Sequence, residues 1–275
     1  MGTPIVYEIA EKPITSVLIA ICTGVWVYIQ KAGLGYGDVG ISYEDVVRGK
    51  QYWRVITSSF SHISFLHLIF NMSALWSVGV VEQLGHAGMG KIYYLKNTLL
   101  LVILSLVLVL VFYHFLIHHL KFERYWRVTA VGYSCVIFGW MTILSQKQAG
   151  SKIQVLGFLS LPASLAPFES LVFTYIIVPQ ASFLGHLSGI IVGYLISWSV
   201  FAEISSYWAI TYTSWLLIAL VVSVERTTSY HIPFLQTELS VESPNLPTVR
   251  LLSDEDPPQA RTPPPPSLAS GIDAV

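Results

Sequence analysis

Charged residues are scarce in this sequence. Only 11% of its 275 residues are Asp, Glu, Lys or Arg, whereas roughly 25% is usual for a soluble domain. Hydrophobic residues make up 53% of the chain, and the mean hydropathy is +0.61. The net charge of −1 offers no basic surface for nucleic acid. We therefore expect an integral membrane protein whose surroundings are the lipid bilayer and which has no nucleic-acid partner.

Cysteine is almost absent as well. Cys22 and Cys135 both lie inside apolar runs, so no disulfide framework is expected and the redox compartment stays open. The first dozen residues carry Glu8, Glu11 and Lys12. They have neither the basic start of a signal peptide nor the Arg-rich start of a transit peptide. The first apolar run is therefore expected to be retained as a membrane span.

Long apolar runs recur along the chain, and a helix needs about 20 mostly apolar residues to cross a bilayer. Six core spans are predicted: 14–29, 65–84, 99–115, 128–144, a segment that follows the Pro-broken stretch 161–167 and ends near 178, and 182–200. A seventh run, 207–222, is polar in its first half and is a candidate span. The predicted fold is an all-α integral membrane protein, a bundle of six core transmembrane helices with this candidate seventh.

Two polar stretches flank or interrupt the apolar runs. Residues 31–64 include Gly33, Gly35, Gly37 and Gly40 and hold most of the charge in the N-terminal half, which predicts a structured loop between the first two spans. Residues 230–275 hold nine prolines and are rich in Ser, Thr and acidic residues, a composition typical of disorder. We predict a membrane domain over residues 1–224 and a disordered tail over 225–275. The positive-inside rule does not fix the orientation.

Two polar side chains inside the predicted spans suggest chemistry, because an ionisable group in the bilayer costs several kcal/mol. Ser134 follows Gly132 at the start of the fourth span. His186, Gly189 and Gly193 share one face of the sixth span, and small residues at this spacing let membrane helices pack closely. If the opposite helix presents Ser134, His186 can take its hydroxyl proton while the serine attacks a carbonyl.

A second polar pair lies in the second span. His67 and Asn71 are four residues apart and therefore lie on one helix face. Both side chains can donate hydrogen bonds, as a developing oxyanion requires in a water-poor site. The same pair could equally join neighbouring membrane helices by hydrogen bonds. The residues alone leave both interpretations open.

Short motifs follow one another along the chain in a fixed order. They are Trp53-Arg54 in the first loop, His67-x-x-x-Asn71 and Glu82 in the second span, Gly132-x-Ser134 in the fourth, and His186 with Gly189 and Gly193 in the sixth. This ordered set resembles the rhomboid family of intramembrane serine proteases, its plant rhomboid-like members included. The resemblance covers roughly residues 10–200.

The resemblance implies a catalytic dyad of Ser134 and His186 without a carboxylate. It implies an oxyanion hole made by His67, Asn71 and the backbone N–H of Ser134. Phe138, one turn after Ser134, stands where the family often has an aromatic ring stacked on the catalytic histidine. The implied activity is serine endopeptidase cleavage of transmembrane segments.

The resemblance also implies how the rest of the machinery is built. Trp53 and Arg54 would anchor the first loop, and Gly132 would support the site together with the glycines of the sixth span. The partners would be single-span membrane protein substrates whose helix unwinds easily. The chemistry would need side chains and water only, with no metal and no other cofactor. A multi-pass protein of a secretory-pathway membrane is favoured, with the organelle open.

One residue departs from the family pattern. The motif Gly-x-Ser-Gly ends here in Cys135, whose side chain adds volume to a packed site, where overpacking typically costs about 1–3 kcal/mol. This departure supports an alternative, a catalytically weak or inactive rhomboid-like protein that binds client transmembrane helices. Cys135 itself points about 100° around the helix from Ser134, so the two residues cannot both face His186.

A third hypothesis is a carrier, channel or metal-binding membrane protein that uses the intramembrane histidines. Against it, His67 and His186 have no obvious third ligand in the neighbouring sequence, and no acidic pair lies in the spans. The other histidines have ordinary interpretations. Near the end of the third span lies a histidine cluster that is typical of a membrane interface: His114, His118 and His119. Three isolated histidines are loop residues: His62, His86 and His231.

Overall fold

A computed structural model of the chain describes residues 5–83, 88–148, 150, 152–155, 159–178 and 181–228. The chain divides into two compact units, residues 1–233 and 234–275, and every described residue belongs to the first. Most of the predicted disordered tail, from residue 229 onward, and the loop histidines His86 and His231 lie outside the described residues.

Seven long helices form the framework of the first unit. They are α1 (Pro13–Ala32), α2 (Phe65–Val78), α3 (Lys91–His118), α4 (Ser134–Lys147), α5 (Ala166–Ile177), α6 (Phe183–Ser197) and α7 (Ser206–Thr227). Four are long and apolar enough to cross a membrane: α1, α2 with its extension to Glu82, α3 and α7, and two shorter apolar helices contain α5 and α6. The predicted all-α membrane bundle is confirmed, and the candidate seventh run is a helix.

Shorter elements connect these helices. The short α-helices are Ile5–Glu11, Tyr36–Val39 and Arg54–Phe60, and single turns of other helix types lie at Glu44–Arg48, Gly79–Glu82, Glu123–Trp126 and Ala163–Leu165. Strands β1 (Lys152–Val155) and β2 (Leu159–Pro162) pair antiparallel between α4 and α5. This small hairpin occupies part of the Pro-broken stretch and was not predicted.

The fourth helix begins six residues later than predicted. Residues 128–133 are not helical, because Ile41 and Ala130 exchange two backbone hydrogen bonds as an isolated bridge. Gly132 then adopts a φ of +112°, a conformation that glycine accepts readily and other residues do not. The helix starts immediately after this turn, so Ser134 is its first residue.

Glu82 fixes the start of α1. Its carboxylate accepts hydrogen bonds from the backbone N–H groups of Ile14 and Thr15 at 2.7 and 2.9 Å, and from the Thr15 hydroxyl at 2.9 Å. The first N–H groups of a helix lack intrahelical partners and carry a partial positive charge. A fully buried carboxylate thus caps α1 and joins it to the end of α2.

Arg54 organises the first loop. Its guanidinium donates hydrogen bonds to the carbonyl oxygens of Gly37 and Gly40 at 2.8 and 2.6 Å. It also lies 3.8 Å from the carboxylate of Asp45 and 4.9 Å from the Trp53 ring centroid. These contacts lie within the loop and position the segment that pairs with Ala130, and the structural role of the Trp-Arg pair stays a prediction.

Candidate active site

Helices α4 and α6 touch backbone to backbone. A Cβ atom built on Gly189 would lie 2.0 Å from the carbonyl oxygen of Cys135, and one on Gly193 would lie 2.6 Å from the carbonyl oxygen of Gly139. Real Cβ atoms do not approach oxygen so closely, so any side chain at these positions would push the helices apart. The predicted glycine face of the sixth span therefore meets α4.

This contact brings Ser134 and His186 together. The Oγ of Ser134 lies 2.8 Å from Nε2 of His186, within hydrogen-bond distance. Both residues lie in the first turn of their helices. Helix α4 has 14 residues and is ~21 Å long, shorter than the ~30 Å hydrocarbon core of a bilayer. A helix of this length is short enough to begin inside the bilayer.

An aromatic neighbour and a capped helix start orient the His186 ring. Phe138 stacks on it with centroids 4.3 Å apart and an interplanar angle of 18°. Helix α6 is capped one turn earlier by Ser182, whose hydroxyl accepts a hydrogen bond from the N–H of Gly185. The ring is buried. A histidine whose ring orientation is fixed in this way keeps Nε2 aimed at Ser134.

Gly132 brings His67 close to the serine. A Cβ atom on Gly132 would lie 2.6 Å from Cε1 of the His67 ring, so the ring fits only because position 132 has no side chain. The N–H of Gly132 donates to the carbonyl oxygen of Ser58 at 2.9 Å. The glycine before the serine thus serves the turn, the ring contact and the packing on the Arg54–Phe60 helix.

The three predicted oxyanion donors lie on α2 and at the start of α4. The N–H of Ser134 is the first of α4 and donates to no described residue, as is usual at a helix start. Asn71 is buried, and its amide nitrogen donates to the carbonyl oxygen of His67 at 2.9 Å, which uses one of its two hydrogens. The predicted donors thus lie on elements that meet at this site, and their role stays a prediction.

Comparison with known proteins gives this geometry a family. The profile of the Rhomboid domain matches residues 49–203, more than half of the chain. The chain belongs to the rhomboid family. The match includes both helices of the glycine contact and the whole of the second span. It begins four residues before the Trp-Arg pair of the first loop.

Curated relatives agree with this assignment. The chain is 29% identical to Rhomboid-like protein 14, mitochondrial, of Arabidopsis thaliana, over 66% of this chain and 54% of that protein. It is 28% identical to Rhomboid-related protein 4 of Mus musculus, over 68% and 58%. It is 26% identical to Rhomboid-type serine protease 2 of Eremothecium gossypii, over 73% and 79%. The chain spans about half the length of the first two. Rhomboids include serine proteases, and the third relative is named as one.

His62 is a site residue that the sequence interpretation missed. It lies in the loop before α2, as expected, but it is fully buried, with its ring centroid 5.0 Å from that of His67. Burial, and then the neighbouring His67, lower the pKa of His62 to about 4, so the ring is neutral at pH 7. Its Nδ1 lies 3.3 Å from the carbonyl oxygen of Phe60, and its Nε2 accepts from the N–H of Tyr133 at 3.5 Å.

These contacts make His62 a support for the segment that carries the serine. With the proton on Nδ1, the free Nε2 holds the backbone one residue before Ser134. The sequence signal was the position of His62 five residues ahead of His67. His62 and His67, at the start of the second span, form a pair, and His67 lies against Gly132.

Cys135 is accommodated in this rhomboid core. Its side chain is buried in an apolar cluster with residues of α3 and of the first loop, among them Tyr113 and Tyr43. Its sulfur would lie 3.4 Å from a Cβ atom built on Gly185, an ordinary van der Waals distance. The sulfur thus lies beside α6 at Gly185, while the Ser134 hydroxyl faces His186, and the cost expected for Cys135 stays a prediction.

The remaining histidines form a separate cluster at the end of α3. The Tyr43 hydroxyl lies 2.6 Å from Nδ1 of His114, and the rings of His114 and His118 are 4.4 Å apart. Arg48 covers the Trp126 ring at 3.9 Å. No group of three or more potential metal ligands occurs among the residues that the structure describes. The cluster packs the first loop against α3.

Proposed function

We propose that this rhomboid is an intramembrane serine protease that cleaves transmembrane segments of membrane proteins. Ser134 is the nucleophile and His186 its general base. The observation that carries the proposal is the 2.8 Å distance between the Ser134 hydroxyl and Nε2 of His186. A nucleophile and its base require this distance. The hydroxyl proton moves to Nε2 as Oγ attacks the substrate carbonyl, and the imidazolium then protonates the leaving amine.

The oxyanion formed by this attack needs donors that already point to it. We assign this role to the N–H of Ser134 and to the side chains of His67 and Asn71. The packing of the His67 ring on Gly132 supports the assignment, because it fixes the ring on the segment that carries the nucleophile. Water then hydrolyses the acyl-enzyme, and His186 acts as base a second time.

The depth of the site suggests its substrates. Helix carbonyls inside a membrane are engaged in intrahelical hydrogen bonds, so a substrate helix must unwind before its carbonyl can reach Ser134. We therefore expect single-span proteins whose membrane helix is weakened by glycine or other poor helix formers. We expect the reaction in a secretory-pathway membrane, although one relative is named as mitochondrial, and fractionation of cells that express the tagged chain tests this expectation.

The decisive experiment uses the full chain in proteoliposomes with a labelled single-span substrate. Ser134→Ala and His186→Ala should each lower the cleavage rate by at least about 10³-fold, because the members of a catalytic unit act together. Ser188→Ala and His119→Ala are matched controls. Ser188 is buried two residues after His186 and bonds only to the backbone oxygen of Leu184, and His119 lies in the exposed cluster at the end of α3.

Three outcomes distinguish the hypotheses. Cleavage by the wild type and both controls, lost in the two site variants, supports the dyad. Cleavage that survives Ser134→Ala contradicts it. Binding of the substrate helix without any cleavage would instead favour an inactive rhomboid-like protein that holds client helices.

A serine-reactive fluorophosphonate probe gives a second readout, since it should label the wild type at Ser134 and should not label Ser134→Ala.

A further inference from the structure

A groove of 560 Å³ lies between α1, α3 and α7, on apolar side chains almost throughout. Its rim includes exposed apolar residues of helices that are long and apolar enough to cross a membrane. Val17 and Ile21 of α1 and Leu217 of α7 are among them. The medium around an exposed apolar residue of a membrane span is lipid. The groove therefore opens to the hydrocarbon of the bilayer and not to water.

The size of the groove restricts its occupant. One turn of a helix with side chains is ~10 Å wide and ~5.4 Å long and fills ~400 Å³, so the groove holds fewer than two turns. A substrate span has about five or six turns and does not fit. A single acyl chain is narrow and flexible and matches an apolar groove of this volume.

A cation lies at one end of the groove. Lys91, Leu95, Thr98 and Val102 follow one another at helical spacing on one face of α3, and the last three line the groove. Lys91 is the first residue of α3 and is exposed. It forms no ion pair with any residue that the structure describes. A lysine one turn above an acyl-chain groove, at a helix end, suits the phosphate of a lipid headgroup.

We propose that this groove binds one anionic phospholipid, with an acyl chain between α1, α3 and α7 and the phosphate at Lys91. The floor of the groove includes Tyr133, the residue directly before Ser134. Its side chain is fully buried and its hydroxyl has no hydrogen-bond partner among the described residues. The bound chain would therefore lie over the buried residue that leads into α4.

The test measures lipid contact and not proteolysis, so its result is independent of the proposed activity. The full chain is reconstituted in phosphatidylcholine vesicles with phosphatidylglycerol that carries a diazirine on its acyl chain. After irradiation, adducts are mapped by mass spectrometry. They should concentrate on the lining residues of α1, α3 and α7.

Matched variants separate the groove from the general lipid contact surface. Val17 and Val107 are both exposed on membrane helices, 57% and 43%, but only Val17 lines the groove. Val17→Trp should lower labelling of the groove about tenfold, as expected for overpacking a filled site, and Leu217→Trp should do the same. Val107→Trp should have no effect. Equal labelling in the three variants would overturn the proposal, because it would mean surface lipid only.

The headgroup contact has its own variant. Lys91→Gln should weaken labelling by phosphatidylglycerol about fivefold, the effect of one lysine near an anionic lipid, and should leave labelling by a neutral phosphatidylcholine probe unchanged. Lys31→Gln at the other end of α1 is the charge-matched control. If Lys91→Gln and Lys31→Gln label alike with both probes, the phosphate contact at Lys91 is wrong.

Discussion

Two helix contacts in this protein are built in opposite ways. Helices α4 and α6 meet through glycines, with backbone atoms in direct contact at Gly189 and Gly193. Helices α1, α3 and α7 meet through large side chains and leave a groove of 560 Å³ between them. Ser134 and His186 lie at the first contact, and the proposed lipid lies at the second. The candidate active site therefore lies where the helices pack backbone to backbone, and the groove lies where they pack through side chains.

A glycine contact can hold the proposed catalytic pair of Ser134 and His186 at a fixed distance. Where backbones touch, the helix separation is fixed by atoms that cannot change rotamer, and a distance such as 2.8 Å can be held. Where side chains touch, rotamer changes and lipid can alter the separation. We expect single-atom changes to act strongly at α4–α6 and weakly at α1–α3–α7.

A pair of Gly→Ala substitutions tests this expectation most strongly. Gly189→Ala would put Cβ 2.0 Å from the carbonyl oxygen of Cys135, whereas Gly24→Ala on α1 would meet nothing within 4 Å. Gly189→Ala should lower the free energy of unfolding by about 3 kcal/mol and abolish cleavage. Gly24→Ala should raise that free energy by up to about 1 kcal/mol, because alanine favours the helix.

Unfolding of both alanine variants in detergent, followed by circular dichroism, measures their free energies of unfolding. The cleavage assay is run on the same samples. Equal stability of the two alanine variants would contradict the backbone contact between α4 and α6. A stable Gly189→Ala variant that still cleaves would show that the helices tolerate separation.

The α1 side has a polar anchor in place of glycine packing, and this anchor gives the next prediction. Glu82→Gln removes the charge that caps α1 while keeping the size of the side chain. It should lower the free energy of unfolding by about 2 kcal/mol, since hydrogen bonds to a buried charged group contribute about 1.5–3 kcal/mol. Melting temperatures in detergent check the effect.

Glu11→Gln is the control for this substitution. Glu11 accepts a hydrogen bond from Gln83 at an exposed site, and exposed pairs contribute about 0–1 kcal/mol. If both variants melt alike, the Glu82 carboxylate does not anchor α1. If Glu82→Gln melts earlier but cleaves normally once folded, the anchor acts on stability alone.

The sequence predicted the elements of the site that depend on local pattern. The spacing of His186, Gly189 and Gly193 places them on one helix face wherever that helix lies, and intramembrane polar groups are rare enough to attract notice. The family resemblance then linked Ser134 with His186 across 52 residues. That link did not follow from periodicity, because two helices of the same composition can pair in many ways.

The parts that the sequence did not predict depend on contacts between distant segments. The fourth helix starts at Ser134 because Ala130 pairs with Ile41, 89 residues earlier, and an apolar run does not show where its helical part begins. His62 was interpreted as an ordinary loop residue, since burial of a loop side chain depends on what folds over it.

Cys135→Gly is the substitution with the smallest expected effect at the glycine contact. The sulfur belongs to the buried cluster that contains Tyr43 and Tyr113, and it lies beside Gly185 and not at the backbone contact with Gly189. Removing it should change the cleavage rate less than about twofold, and it should lower the free energy of unfolding by about 1 kcal/mol through lost burial and poorer helix propensity.

Cys22→Gly on α1, where the side chain is also buried, is the control. It should lower the free energy of unfolding by a similar amount and leave cleavage unchanged. A tenfold faster Cys135→Gly enzyme would contradict this account, because it would mean that the extra side chain restrains α4 against α6 after all.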